Sequence, residues 1–115
     1  MSEPYTLRRA SATLADARAL LTVEQASLAD SPYSAAEVQR VLARPEHYAY
    51  LAMHEGVAVG FCSCLETPTP RGPRLEVDLL GVLPEHRGRR LATRLIRLSL
   101  QEAERRGLRQ ARGVA

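Results

Sequence analysis

The residues best placed to do chemistry are the eleven from Val82 to Ala92, Val-Leu-Pro-Glu-His-Arg-Gly-Arg-Arg-Leu-Ala. An apolar run leads into them and a long amphipathic stretch leads out. Arg87, Arg89 and Arg90 crowd one turn, with no acidic residue after Glu85. Gly88 lets the chain turn sharply, and Ala92 keeps the first helical turn slim. A helix start leaves backbone N–H groups without partners, at the positive end of the helix dipole. Anions bind there, and planar guanidinium forks suit phosphate. The segment is therefore a candidate phosphate or pyrophosphate site. It lacks the Gly-Lys-Ser/Thr of a nucleotide P-loop and the three spaced glycines of a dinucleotide fingerprint. On spacing alone, an Arg-rich helix start that serves only solubility is an equal alternative.

Glu76 and Asp78 are the second feature. Two carboxylates two residues apart on a strand point to one face. In an otherwise apolar strand they need a reason, because unpaired buried charge is costly. A carboxylate can take the proton from an amine nucleophile, directly or through water. The alternative is that they pair with an Arg such as Arg74, or lie at a solvated edge. Cys62 and Cys64 also share a strand face. With His54 they supply at most three ligands at no usual zinc spacing, so buried thiols are expected and no metal. His86 reads as an exposed loop residue. Tyr33, Tyr48 and Tyr50 read as core or rim packing.

The elements that must position these groups follow from periodicity. Tyr5 to Arg9 alternates as a first strand. Thr13 can cap a helix from Leu14 with Leu14, Ala17, Leu21 and Leu28 near one face, ended by Asp30-Ser-Pro32. Ser34 with Glu37 is a capping-box pattern. It starts a short helix with Val38, Val41 and Leu42, stopped by Pro45. Tyr48 to His54 and Val57 to Leu65 form a hairpin through Glu55-Gly56. A proline-dense loop precedes an apolar strand from Leu75 to Leu83. Arg90 to Arg106 is the longest helix, with an inward stripe of Leu91, Ala92, Leu95, Ile96, Leu98 and Ala103. Gly107 ends it, and Leu108 to Val114 is a last strand. The order is β-α-α-β-β-β-α-β. The final β-α-β unit crosses over, so its strands are expected to be parallel neighbours, and the earlier ones antiparallel. This is an α/β (α+β) fold with a mixed, mostly antiparallel sheet.

The 115 residues are enough for a single domain, 1–115, with a real core. No membrane span, signal peptide or disulfide framework is visible, so a cytoplasmic protein is expected. All 16 basic residues are Arg, and nine lie between Arg87 and Arg112, which raises nucleic acid as a partner. Glu102 and Glu104 interrupt that helix, and aromatic content is only 4%, so stacking on bases is poorly served. Neither a nucleic-acid nor a membrane partner is expected.

The strand, then Val-x-Pro-Glu-x-Arg-Gly-Arg-x-Leu-Ala, then the long helix resembles the acyl-CoA-binding motif of the GNAT superfamily of N-acetyltransferases. The family pattern, Gln/Arg-x-x-Gly-x-Gly/Ala, falls on Arg87-Gly88-Arg89-Arg90-Leu91-Ala92. Its first and last positions match, but its fourth, usually Gly, is Arg90. The resemblance implies that Arg87, Gly88, Arg89, Arg90, Leu91, Ala92 and Thr93 bind the pyrophosphate of acetyl-CoA as cosubstrate. It implies that the backbones of Leu80 and Val82 pair with the thioester carbonyl and the pantetheine arm. The reaction implied is direct transfer of acetyl to an amine. In some relatives the base is a Glu eleven residues before the first motif position, which here is Glu76. The family fold usually continues with a helix and two strands after the fifth strand, so the resemblance implies a fold truncated there. A homodimer through the exposed last strand is one expectation from this. A catalytically weak CoA-binding or interaction module is the alternative function.

Overall fold

In the computed structural model, residues 4–28 and 32–113 are described. The elements are β1 (Thr6–Arg9), α1 (Leu14–Ser27), α2 (Ala35–Leu42), β2 (His47–His54), β3 (Val57–Thr67), β4 (Arg74–Val82), a 3-10 turn (Pro84–His86), α3 (Leu91–Arg105) and β5 (Ala111–Gly113). The expected order holds. The five strands form one sheet in the order β1-β2-β3-β4-β5. The first three pairings are antiparallel, and β4 with β5 is parallel, as a crossover through α3 requires.

Local signals explain most boundaries. The Thr13 hydroxyl accepts from the Asp16 N–H and starts α1. Ser34 and Glu37 form the reciprocal capping box of α2. Glu55 and Gly56 have φ of 52° and 80°, both left-handed, as a two-residue hairpin between β2 and β3 demands. The proposed stop at Asp30-Ser-Pro32 falls partly outside the described residues; α1 ends at Ser27. The last strand is shorter than expected, and Val114 lies outside the described residues.

The sheet is covered on both faces, so its central strands are apolar without alternation. Along β2, Tyr48, Tyr50 and Ala52 face α3, and Ala49, Leu51 and Met53 face α1 and α2. Leu91 and Leu95 of α3 are fully buried and contribute roughly 2 kcal/mol each. The inward face of α1 differs from the expected one. It is Asp16, Ala17, Leu20 and Val23, whereas Leu28 is exposed. Asp16 is buried on that face, a carboxylate that no hydrophobic period would point inward.

Asp16 accepts from both terminal nitrogens of Arg8 at 2.8 Å, from the Ser11 N–H at 2.7 Å and from the Ser11 hydroxyl at 2.8 Å. The Arg8 guanidinium, with these Ser11 donors, holds the Asp16 carboxyl well below the usual carboxylate range. A lowered folded value stabilises the fold above the unfolded carboxylate pKa, and that gain is lost as pH falls. Arg8 is 42% exposed, so water screens the pair. Asp16→Asn is expected to cost about 1 kcal/mol at pH 7. Urea titrations should show the gap to wild type narrowing below about pH 4.

The functionally important irregularity is in β4. Leu75 packs in the α3-side core with Val77 against it, and so do Leu80 and Val82, while Leu79 packs on the other side. Alternation therefore skips one residue. At that point Cys64 pairs with Val77 and Ser63 with Leu79, leaving Asp78 with no opposite number on β3. This is a β-bulge. The slip falls after Asp78: alternating with Leu75 and Val77, Glu76 and Asp78 both turn away from α3, as expected, and Leu79 joins them on that side.

Candidate functional site

Beyond the bulge, the outer edge of β4 is unpaired among the described residues. Its pairing with β5 ends at Val77–Gly113. The Leu83 N–H donates to the Val59 carbonyl at 2.8 Å, so Leu83 faces β3. Antiparallel pairing alternates with period two, so the backbone groups of Leu80 and Val82 point away from β3, toward the open side. The Val82 carbonyl accepts there from Arg87 Nε at 3.1 Å.

The chain then turns through Pro84–His86 into the Arg/Gly segment. Gly88 has φ of 78° with open space where a side chain would stand, so it is the left-handed backbone that calls for glycine. Arg90, the N-cap of α3, is also left-handed, at φ 60°. The position where the resembling family usually has Gly is thus one where Gly would be least strained. No side chain caps α3 and no acidic residue stands in its first turn. The N–H groups of Leu91, Ala92 and Thr93 find no acceptor among the described residues. The Leu91 side chain is buried and anchors the helix, so only its backbone is available. A cavity of about 380 Å³ opens here, lined by Ser27, Leu28, Gly81, Gly88, Arg90 and Ala92 among others. Gly81 is necessary on this wall: a Cβ would collide with the Ser27 side chain and with Phe61, which α1 and β3 press against the strand.

A group the sequence did not reveal braces the turn from below. The Tyr5 hydroxyl and His86 Nδ1 are 2.8 Å apart. The His54 ring lies 5.0 Å from that of Tyr5 and 5.1 Å from that of His86, and the Arg89 guanidinium sits 5.9 Å above Tyr5. His86 is thus a half-buried brace and not the exposed loop residue its position suggested. Tyr5 and His86 are 81 residues apart, and no local pattern joins them.

On the other face, α1, α2 and the sheet enclose a cavity of about 270 Å³. Glu24, Tyr33, Glu37, His47, Ser63 and Asp78 are its polar lining. A third cavity, about 500 Å³, lies where β4 and β5 part, beside Leu28, Leu80, Ile96 and Leu100. Asp78 lines both. Glu76 lines neither of these; Arg74 donates to it at 2.8 Å and 3.2 Å. A wider concavity of about 600 Å³ lies between β1 and α3, away from the open edge of β4.

Tyr48 and Tyr50 are buried in the core, whereas Tyr33 is exposed. Cys62 and Cys64 are fully buried, with sulfurs 3.8 Å apart. The neighbouring Cys62 thiol and burial push the Cys64 thiol up, so it stays protonated. His54 packs on Tyr5 and His86 instead of approaching them.

The sequence matches the model of the Acetyltransferase (GNAT) family over residues 14–112. Solved structures share the fold. An aminoglycoside acetyltransferase from an uncultured soil metagenomic sample superposes with a TM-score of 0.86 at 17% identity, covering 97% of this chain and 78% of that one. The ribosomal-protein-alanine N-acetyltransferase of Brucella melitensis biovar Abortus 2308 gives 0.77 at 23% identity, covering 96% and 79%. The aminoglycoside N-acetyltransferase AAC(6')-Iy in complex with CoA gives 0.81 at 18% identity, covering 100% and 79%. A comparison with curated proteins found no match. No helix among the described residues is long and apolar enough to cross a membrane.

Proposed function

The chain belongs to the acetyltransferase (GNAT) family of enzymes, and on that premise we propose that it transfers acetyl from acetyl-CoA to an amine by direct attack. One observation carries the reading: a helix start with unpartnered N–H groups, ringed by Arg87, Arg89 and Arg90, follows directly from the open edge of β4. The donors suit a pyrophosphate, and the open edge suits an extended amide-bearing arm such as pantetheine. In this reading the N–H groups from Gly88 to Thr93 hold the pyrophosphate, with Arg87, Arg89 and Arg90 supplying charge. The backbones of Leu80 and Val82 hold the arm and the thioester carbonyl. An N–H aimed at that oxygen stabilises the negative charge that grows there as the amine attacks. The base in this reading is one of the two β4 carboxylates: Glu76, which the family resemblance suggests, or Asp78.

The acceptor atom is nitrogen in the neighbours named above as N-acetyltransferases. The acidic lining of the α1–α2 cavity suits an amine that arrives as a cation. We place the protein in the cytoplasm. We also propose that β5, exposed at all three residues, is where two copies associate; light scattering that shows a stable monomer at micromolar concentration would contradict that.

The test is turnover of acetyl-CoA with a diamine, an aminoglycoside and an alanyl peptide, followed as free thiol. Thiol release that depends on the amine supports acyl transfer. Tight CoA binding with no amine-dependent release on any acceptor would leave a binding module instead.

A further inference from the structure

We infer that Asp78, and not Glu76, takes the proton from the attacking amine. The inference rests on the acyl-transfer reading above and names the residue that completes it. A general base must come within hydrogen-bond reach of the nitrogen, or within one water of it. The nitrogen must lie where the acceptor cavity meets the thioester. The thioester reaches the site along the open edge of β4, beside Leu80. The acceptor cavity lies between α1, α2 and the sheet. Asp78 lines both that cavity and the cleft between β4 and β5. Asp78 stands at the bulge with no partner on β3, on the face of the sheet that α1 and α2 cover and beside the point where β4 and β5 part.

Glu76 is placed differently. It stands within the paired stretch, opposite Leu65 on β3 and Arg112 on β5. Its carboxylate is held by two nitrogens of Arg74. It lines neither the acceptor cavity nor the cleft. Proton transfer to Glu76 would break that ion pair, whereas Asp78 is an exposed carboxylate already in the right place. The titratable and charged groups that share the two cavities with Asp78 are Glu24 of α1, Glu37 of α2, Tyr33, His47 of β2 and Arg112 of β5.

The step balances as follows. The acceptor ammonium gives one proton to the Asp78 carboxylate. The freed lone pair forms the C–N bond to the thioester carbon as the C–S bond breaks, and the C–S electron pair leaves on sulfur. The nitrogen's second proton ends on the CoA thiolate, and Asp78 returns its proton to water. Nothing is oxidised or reduced.

The experiment compares Asp78→Asn, Asp78→Glu and Glu76→Gln in the full chain, using acetyl-CoA and the best acceptor of the three-amine panel. Steady-state rates are taken between pH 6 and 9, with CoA affinity by calorimetry and melting temperature beside them. Asp78→Asn is expected to lower kcat on the order of 100-fold, with CoA affinity and melting temperature unchanged. Its residual rate should climb with pH as more amine is free. Asp78→Glu should recover part of the rate, and Glu76→Gln should stay within a few fold of wild type. Full activity in Asp78→Asn, or a large loss in Glu76→Gln alone, overturns the assignment and leaves acyl transfer standing. A wild-type chain that acetylates none of the amines overturns both.

Discussion

Replacing Ala92 by Asp is expected to leave the fold at least as stable and to weaken CoA binding on the order of 100-fold. Ala92 is the second residue of α3, whose first turn has neither an acidic residue nor a side-chain cap. A carboxylate there meets the positive end of the dipole, which by itself adds about 0.3–1 kcal/mol to helix stability. The same carboxylate occupies the place proposed for the pyrophosphate. Two unit charges about 6 Å apart repel by about 3 kcal/mol at the effective dielectric of a protein surface, which is two decades of affinity. Stability and binding should therefore move in opposite directions. Thermal unfolding and calorimetric titration with CoA on one preparation check both. A helix start that serves only solubility would gain the stability and show no change in binding.

Glu102→Ala, a truncation away from the site, is expected to cost about 3 kcal/mol. Glu102 is buried on the inward face of α3. One carboxylate oxygen accepts from the Tyr50 hydroxyl at 2.8 Å and pairs with Arg9 at 3.2 Å. The other accepts from two nitrogens of Arg106 at 3.0 Å and 2.8 Å. Burial, and the Glu102 carboxylate beside it, push the Tyr50 hydroxyl up, so it stays a donor. Arg106 in turn lies 4.3 Å over the Tyr48 ring and donates to the Pro45 carbonyl at 2.7 Å. Alanine leaves a phenol and two guanidinium groups without their shared acceptor. Arg9 is about half exposed and recovers water, which keeps the loss at the lower end for a broken buried pair. The loss is a large share of the 5–15 kcal/mol that holds a typical domain. Urea denaturation should show a lower midpoint with an unchanged slope. Glu102→Gln keeps an acceptor for Tyr50 and should fall between.

Most of the fold was legible because its signals are local. Thr13, the Ser34–Glu37 box, Glu55-Gly56 and Gly107 mark turns and caps through short-range hydrogen bonds or left-handed backbone. The crossover through α3 follows from chirality once two strands flank one helix. What escaped depends on residues far apart in the chain. Glu102 looked like one more charge on a solvated helix, because its partners Arg9 and Tyr50 lie two elements or more away. Asp16 carried no signal of its role, yet it ties Arg8 and Ser11 to α1.

The candidate site divides the same way. The Arg/Gly turn could be read because one stretch of chain holds all its donors. The bulge at Asp78 could not, because it is a slip in register against Cys64 and Ser63 of another strand. The pair of carboxylates in an apolar strand pointed to their shared face and carried no sign of the slip beside them. The Tyr5–His86 brace left no trace at all. Arg90 was a different case. The sequence marked it as a departure from the family pattern, and its φ of 60° shows that the backbone keeps the left-handed turn despite the side chain.

The central claim is that the start of α3 binds the pyrophosphate of CoA. Calorimetric titration of the folded chain with CoA, run beside Ala92→Asp, tests it most directly. The account predicts saturable binding of one CoA per chain, weakened by added salt and weakened about 100-fold by the substitution. A folded wild-type chain that shows no binding at millimolar CoA, or binds it as tightly with Asp at position 92, would contradict it.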